Sequence, residues 1–127
     1  MKIAADFLTL AGRLLIAAIF LYSGVGKALT PAATVATFTK LGIGAAHLAY
    51  YGALFVEIIV ALALVVGWKT RWAALVLAAW CIATAVLVHF HPANKAEMIQ
   101  FLKNLCMAGG LLQVMVLGAG RFSLDRR

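Results

Sequence analysis

The sequence predicts an all-α fold, a four-helix transmembrane bundle with a short interfacial helix in its first loop. Three observations predict it. The 127 residues are 65% hydrophobic and only 12% charged, whereas a soluble domain is about half apolar and about a quarter charged. Four apolar runs, about residues 7–27, 47–67, 72–90 and 99–118, each approach the ~20 residues that cross a ~30 Å hydrocarbon core. Strand-like alternation is absent. Backbone polar groups in lipid must be satisfied within their own segment, so these runs should be helices. The length is that of one domain, spanning 1–127, with no internal repeat or linker.

The first run, Phe7–Lys27, follows Lys2. Arg13 interrupts its apolar character, so it reads as a retained span and not as a cleaved signal peptide. Thr30-Pro31 has the form of an N-cap followed by proline at the first helical position. Val35, Phe38 and Leu41 then share a face, and Gly42 and Gly44 end the segment. That pattern predicts a helix lying apolar face down on the membrane surface. The loop from Trp68 to Arg71 is so short that the second and third spans must be antiparallel neighbours. The third loop carries His89, His91, Pro92, Asn94, Lys95 and Glu97. After Gly118-Ala119-Gly120 the tail returns to the surface, with Phe122 and Leu124 expected to rest on lipid. Small residues within the spans, such as Ser23-Gly24, Ala73-Ala74 and Ala108-Gly109-Gly110, permit close helix approach.

The formal net charge of +7 comes from basic residues at the ends of apolar runs. This arrangement suits membrane anchoring. It lacks the basic stripe with interleaved aromatics of a nucleic-acid binder, so no nucleic-acid partner is expected. Lys2, Lys69, Arg71, Arg121, Arg126 and Arg127 fall on one side of the bundle, and Lys40 and Lys95 on the other. The richer side should be cytoplasmic, with both termini inside.

Glu57 is the only formal charge in the run from His47 to Gly67. A carboxylate at that depth costs on the order of 2.5–3.5 kcal/mol on insertion scales. Such groups face a bundle interior and pair with a cation. Helical spacing aligns Arg13, Ala17, Phe20, Gly24 and Lys27 on one face, and His47, Tyr50, Leu54, Glu57 and Ala61 on another. In the last span Lys103, Met107 and Gly110 share a face, with Asn104 and Gln113 off it. Trp80, Thr84 and His91 form the most polar stripe of the third. Counting from span centres places Ala17 opposite Glu57, with Arg13 about 6 Å to one side and Lys103 about 8 Å to the other. Either cation is then within side-chain reach of Glu57. Lys27 falls at the outer boundary, near the third loop, where Glu97 is available to a second cation.

Three cations against one core carboxylate leave a positive surplus toward the outer side. A quinone carbonyl, an anionic substrate, a lipid phosphate or a partner carboxylate would each fit it. The competing reading is that Arg13, Lys27 and Lys103 snorkel to headgroups and that Glu57 only glues helices together. No metal site is expected, because His89 and His91 lie on different helical faces without a further ligand. Cys81 and Cys106 fall near mid-membrane without a CxxC pattern and read as small apolar residues, a redox role being the alternative. No serine–histidine pair, paired carboxylates or phosphate loop is present; SGVGK lacks the required spacing.

Several stretches together resemble the DoxX family of small integral membrane proteins. They are GRLLIAAIFLYSGVGKALTP (Gly12–Pro31), FTKLGI, FVEIIVALALVVGWKTR around Glu57, MIQFLKNLCMAGGLLQV (Met98–Val114) and GAGRFSLD. The SGxxK ending of the first span, the mid-span glutamate and FLKN carry most of the specificity. The resemblance implies a four-helix bundle in the bacterial inner membrane. Its eponymous member is similar to a subunit of a membrane thiosulfate:quinone oxidoreductase, and others are linked to redox homeostasis or to maturation of partner proteins. By resemblance, Lys27, Glu57, Lys103 and Asn104 match the family's polar positions.

The combined expectation is an accessory or quinone-facing subunit of a membrane redox complex, not an enzyme as an isolated chain. Quinone is the cofactor implied, and a redox partner subunit or a second copy is the partner implied. The ligand-binding set is Lys27, Glu57, Lys103, Asn104, Tyr50 and Arg13, in a pocket open outward with Glu57 at its floor. The alternatives are a scaffold for another membrane protein and an oligomeric small-molecule carrier, although four spans are few for a carrier.

Overall fold

The computed structural model describes residues 2–126. Five helices account for most of them: α1 (Lys2–Leu29), α2 (Pro31–Lys40), α3 (Ala46–Val66), α4 (Thr70–His89) and α5 (Lys95–Leu117). All but α2 are long and apolar enough to cross a membrane. No strand occurs among the described residues. The spans match the four apolar runs, with ends displaced by a few residues. The largest difference is at α1, which begins at Lys2 and not at Phe7.

α1, α3, α4 and α5 form a closed ring in which each packs on the next and α5 returns to α1. The seam residues are small or compact: Ala17, Ala61, Ala74, Ala78 and Cys81 are buried beside Leu64, Leu77 and Leu111. Large apolar side chains such as Leu15, Tyr22, Leu48 and Leu87 point outward. A water-soluble bundle has the opposite order. Lipid is as apolar as leucine, so association in the membrane rewards close packing, and small residues permit it.

Two helices widen locally. α3 contains a π-helical turn at Phe55–Val60, and α4 ends in one at Ala85–His89. π-turns are rare and are often found at functional sites. Hydrophobic periodicity does not reveal them, because they arise from packing against neighbours.

Pro31 opens α2 and Thr30 holds its N-cap position, but the Thr30 hydroxyl does not cap the helix. It donates back to the Gly26 carbonyl at 2.9 Å. Gly42, at φ +83°, lies just beyond the end of α2.

The tail is the main departure from expectation. Residues 118–126 fold back across the end of the bundle that carries the α3–α4 turn. Leu124 N–H donates to Val66 O at 2.9 Å and Asp125 N–H to Gly67 O at 2.8 Å. The Asp125 carboxylate accepts from the Lys69 and Thr70 amides at 2.9 and 2.7 Å. It therefore caps the N-terminus of α4 from a distant part of the chain. Phe122 packs one side on Phe7, with ring centroids 4.9 Å apart, and stays 42% exposed on the other. Leu124 is exposed as well, so both side chains keep an outward-facing surface. Gly67 is required at this turn. It sits at φ +73°, and a side chain there would run into Ser123 of the tail.

This contact corrects the helix register. Phe7 and Thr9 in the first turns of α1 lie against the tail, at Phe122 and Gly120. α1 is therefore displaced toward the tail end relative to α3. Gly24, not Ala17, faces Glu57: a Cβ on Gly24 would lie 3.0 Å from Glu57 Cβ and 2.7 Å from Ile58 Cγ1. From Ala17 to Gly24 is two helical turns, about 10 Å.

Candidate functional site

The displaced register changes the partners of every core charge. Glu57 is 3% exposed, within the π-turn of α3. Its partner is Lys27, whose Nζ lies 2.9 Å from Glu57 Oε1. The same ammonium donates to Ser23 Oγ at 2.7 Å, one turn earlier on α1. Gly24 makes this possible, since a larger residue would hold α1 away from the π-turn. Lys27 thus lies in the last turn of α1, on the wall of the bundle, and reaches Glu57 from there. Its side chain is still 26% exposed, and an ammonium has three donors. Two are used, and the third is open. Glu57 Oε2 is buried and accepts no hydrogen bond among the described residues.

Tyr50 is buried on α3, two turns from Glu57, and its hydroxyl donates to Lys27 O at 3.0 Å. It pins the end of α1 that carries Lys27. Tyr50 also lines a cavity of about 520 Å³ between α2 and α3, together with Pro31, Ala32, Val35, Ala36, His47 and Tyr51.

Arg13 does not approach Glu57. It is fully buried near the tail end, where Nη1 donates to Leu64 O at 2.9 Å and Val65 O at 2.7 Å, and Nη2 donates to Phe122 O at 2.5 Å. Leu64 O and Val65 O lie in the last turn of α3, where carbonyls run out of helical partners, and Leu64 O also accepts from the Gly67 N–H at 3.2 Å. A cation there also complements the helix dipole. Arg13 is a structural clamp between α1, α3 and the tail, and its expected place in the ligand set is not supported by its contacts.

Lys103 is also not beside Glu57. It is exposed on α5, and α5 does not pack against the π-turn of α3. The neighbouring Asn104 points the other way, donating from Nδ2 to Thr84 Oγ1 of α4 at 3.3 Å. The Thr84 hydroxyl in turn lies 2.9 Å from Trp80 O. Glu97 neutralises no lysine; its Oε2 pairs with His89 Nδ1 at 3.0 Å. Both cysteines are free, Cys81 buried and Cys106 exposed.

The structure therefore joins Lys27, Glu57 and Tyr50 and adds Ser23, which the sequence reading passed over. Its signal was available: Ser23 and Lys27 are four residues apart on α1, the spacing that lets side chains touch. Asp125 had no comparable signal, because its partners lie more than fifty residues away.

The sequence pattern of the DoxX family matches residues 8–90, a stretch that includes Ser23, Gly24, Lys27, Tyr50 and Glu57. The chain is 32% identical over 126 residues to Inner membrane protein YqjF of Escherichia coli K12, covering 99% of this chain and 95% of that protein. It is 33% identical over 129 residues to Inner membrane protein YphA of the same strain, covering 98% of this chain and 92% of that protein. No solved structure matches it. With four helices fit to cross a membrane and this match over most of its length, the chain belongs to the DoxX family.

Proposed function

We propose that this protein is an inner-membrane accessory subunit of a redox complex, and that Lys27 presents its open N–H to a quinone carbonyl. The observation that carries the reading is the Lys27–Glu57 pair. Glu57 and Ser23 hold the ammonium at 2.9 and 2.7 Å while a quarter of the lysine side chain remains accessible. The pair is neutral as a unit. A neutral acceptor such as a carbonyl gains a charge-assisted hydrogen bond there without meeting a net field. A membrane-dissolved quinone is an acceptor of this kind. The inner-membrane names of the two relatives agree with the location, and the basic residues near the tail end favour a cytoplasmic side for both termini.

The test is titration of a short-chain ubiquinone analogue into the purified full chain in nanodiscs, followed by calorimetry. Lys27→Met should weaken binding about tenfold or more, the worth of a hydrogen bond from a charged donor. Lys40→Met, on the surface helix, should leave it unchanged. A wild type that binds no quinone, alone or with co-purified subunits, contradicts the proposal.

A scaffold role is the second reading. It draws on the outward face of α5, where Cys106 and Gly109 are exposed and a side chain at Gly109 would meet nothing within 4 Å. Stable co-purification of another membrane protein that survives Lys27→Met and depends on Gly109 would favour it.

A further inference from the structure

The α1–α5 seam contains a cation that the ion pair does not use. The two helices run antiparallel, and they meet where a Cβ on Gly110 would lie 3.8 Å from Ile16 Cδ1. Seven residues from Gly110 toward the opposite end of the bundle is Lys103, and seven residues from Ile16 in the same direction is Ser23. Seven residues are two turns, so each returns to the seam-facing side of its helix. Each also moves about 10 Å along the axis, so Lys103 and Ser23 face the seam at the same depth. Lys27 is one turn further along α1.

Lys103 is exposed and forms no ion pair among the described residues. Lys27 and Glu57 cancel, so the charge of Lys103 is the net charge of this groove. α5 does not pack against the π-turn that holds Glu57. A bare ammonium within an apolar span is costly unless an acceptor meets it.

We infer that Lys103 is a second ligand-binding residue, and that the groove between α1 and α5 admits from the bilayer a ring that carries one negatively charged oxygen. This rests on the quinone reading of Lys27 and deepens it. The neutral pair receives an uncharged ring oxygen, and Lys103 receives an ionised one. The preferred ligand is then a deprotonated quinol or hydroxyquinone, ahead of the neutral quinone.

Two probes separate the possibilities in nanodiscs of zwitterionic lipid. One is 2-methyl-1,4-naphthoquinone, which is neutral. The other is 2-hydroxy-1,4-naphthoquinone, which is an anion at neutral pH. Wild type should prefer the anion. Lys103→Met should reduce that preference about tenfold while leaving the neutral probe bound, and Lys103→Arg should retain it. Both probes bound with an unchanged ratio in Lys103→Met would overturn the inference and leave the Lys27 reading intact. A wild type that binds neither probe sinks the parent reading and this inference with it. A preference abolished by added phosphatidylglycerol would assign Lys103 to a lipid phosphate and overturn the proposal. Independently of any ligand, in a Cys81→Ala and Cys106→Ala background the variant carrying Ser23→Cys and Lys103→Cys should form an intramolecular cross-link with a short bis-maleimide. Failure of that link, with each single cysteine labelling normally, would refute the shared seam.

Discussion

Gly24 and Glu57 face each other across the α1–α3 seam, so closely that a methyl group on the glycine would stand 3.0 Å from the glutamate Cβ. That contact sets the depth at which Lys27, one turn on, meets the carboxylate. It also ties the geometry of the site to a residue with no side chain.

Replacing Gly24 should therefore disturb the site as well as the fold. Gly24→Ala forces Ile58 Cγ1 to move from 2.7 Å, and overpacking of this kind costs about 1–3 kcal/mol. Gly26→Ala is the control, since nothing lies within 4 Å of its added methyl; alanine should favour the helix there by up to about 1 kcal/mol. Thermal unfolding in detergent checks both. Equal melting temperatures for the two variants would contradict the close approach.

The ion pair should respond asymmetrically. Lys27→Met strands a buried carboxylate, with a cost of up to about 3 kcal/mol, the low end for a broken buried pair because the lysine is partly solvated. Glu57→Gln leaves only a partly exposed lysine and should cost less. The double variant should be more stable than Lys27→Met alone. A double-mutant cycle on chemical denaturation measures the coupling, and additivity would mean that the two side chains do not interact.

Arg13 supports the tail end of the bundle. Its guanidinium satisfies carbonyls from α3 and from the tail at once. Arg13→Lys cannot bridge them in a planar fork. The loss should be on the order of 1.5–3 kcal/mol for each charged hydrogen bond removed. The expected readout is faster proteolysis after Gly118 in Arg13→Lys than in wild type. Quinone binding should be unchanged in membranes where the protein stays folded.

Asp125 caps α4 from the far end of the chain. Asp125→Ala should cost about 1 kcal/mol, as for loss of an N-cap. Amide exchange should speed up at Lys69 and Thr70, whose N–H groups bond to its carboxylate, more than at Val76. Unchanged exchange at those two amides would show that the cap is not populated.

The sequence made some of this legible and hid the rest for physical reasons. Hydropathy sufficed for four spans, because a bilayer demands apolar length whatever the partners are. Glu57 stood out because its cost in lipid requires an answer. Its partner was misplaced because Ala17 and Gly24 lie on the same face of α1 and both are small, so periodicity cannot choose between them. The choice is made by Phe7 and Thr9 packing on the tail, a long-range contact that shifts α1 by two turns. The π-turns and the Asp125 cap are likewise tertiary effects. Asn104 was placed with the ligand residues, but its amide serves a hydrogen bond to Thr84.

The most direct test measures whether Lys27 and Glu57 touch inside a native bilayer. Lysine labelled with ¹⁵N at Nζ and glutamate labelled with ¹³C at the carboxyl carbon, in a Glu97→Gln background, leave Glu57 as the only labelled side-chain carboxyl. Rotational-echo double-resonance NMR on reconstituted protein should show strong dephasing consistent with the 2.9 Å Nζ–Oε1 contact. Lys27→Met should abolish it. No dephasing in the Lys27-containing protein, or dephasing that persists without Lys27, would contradict the account.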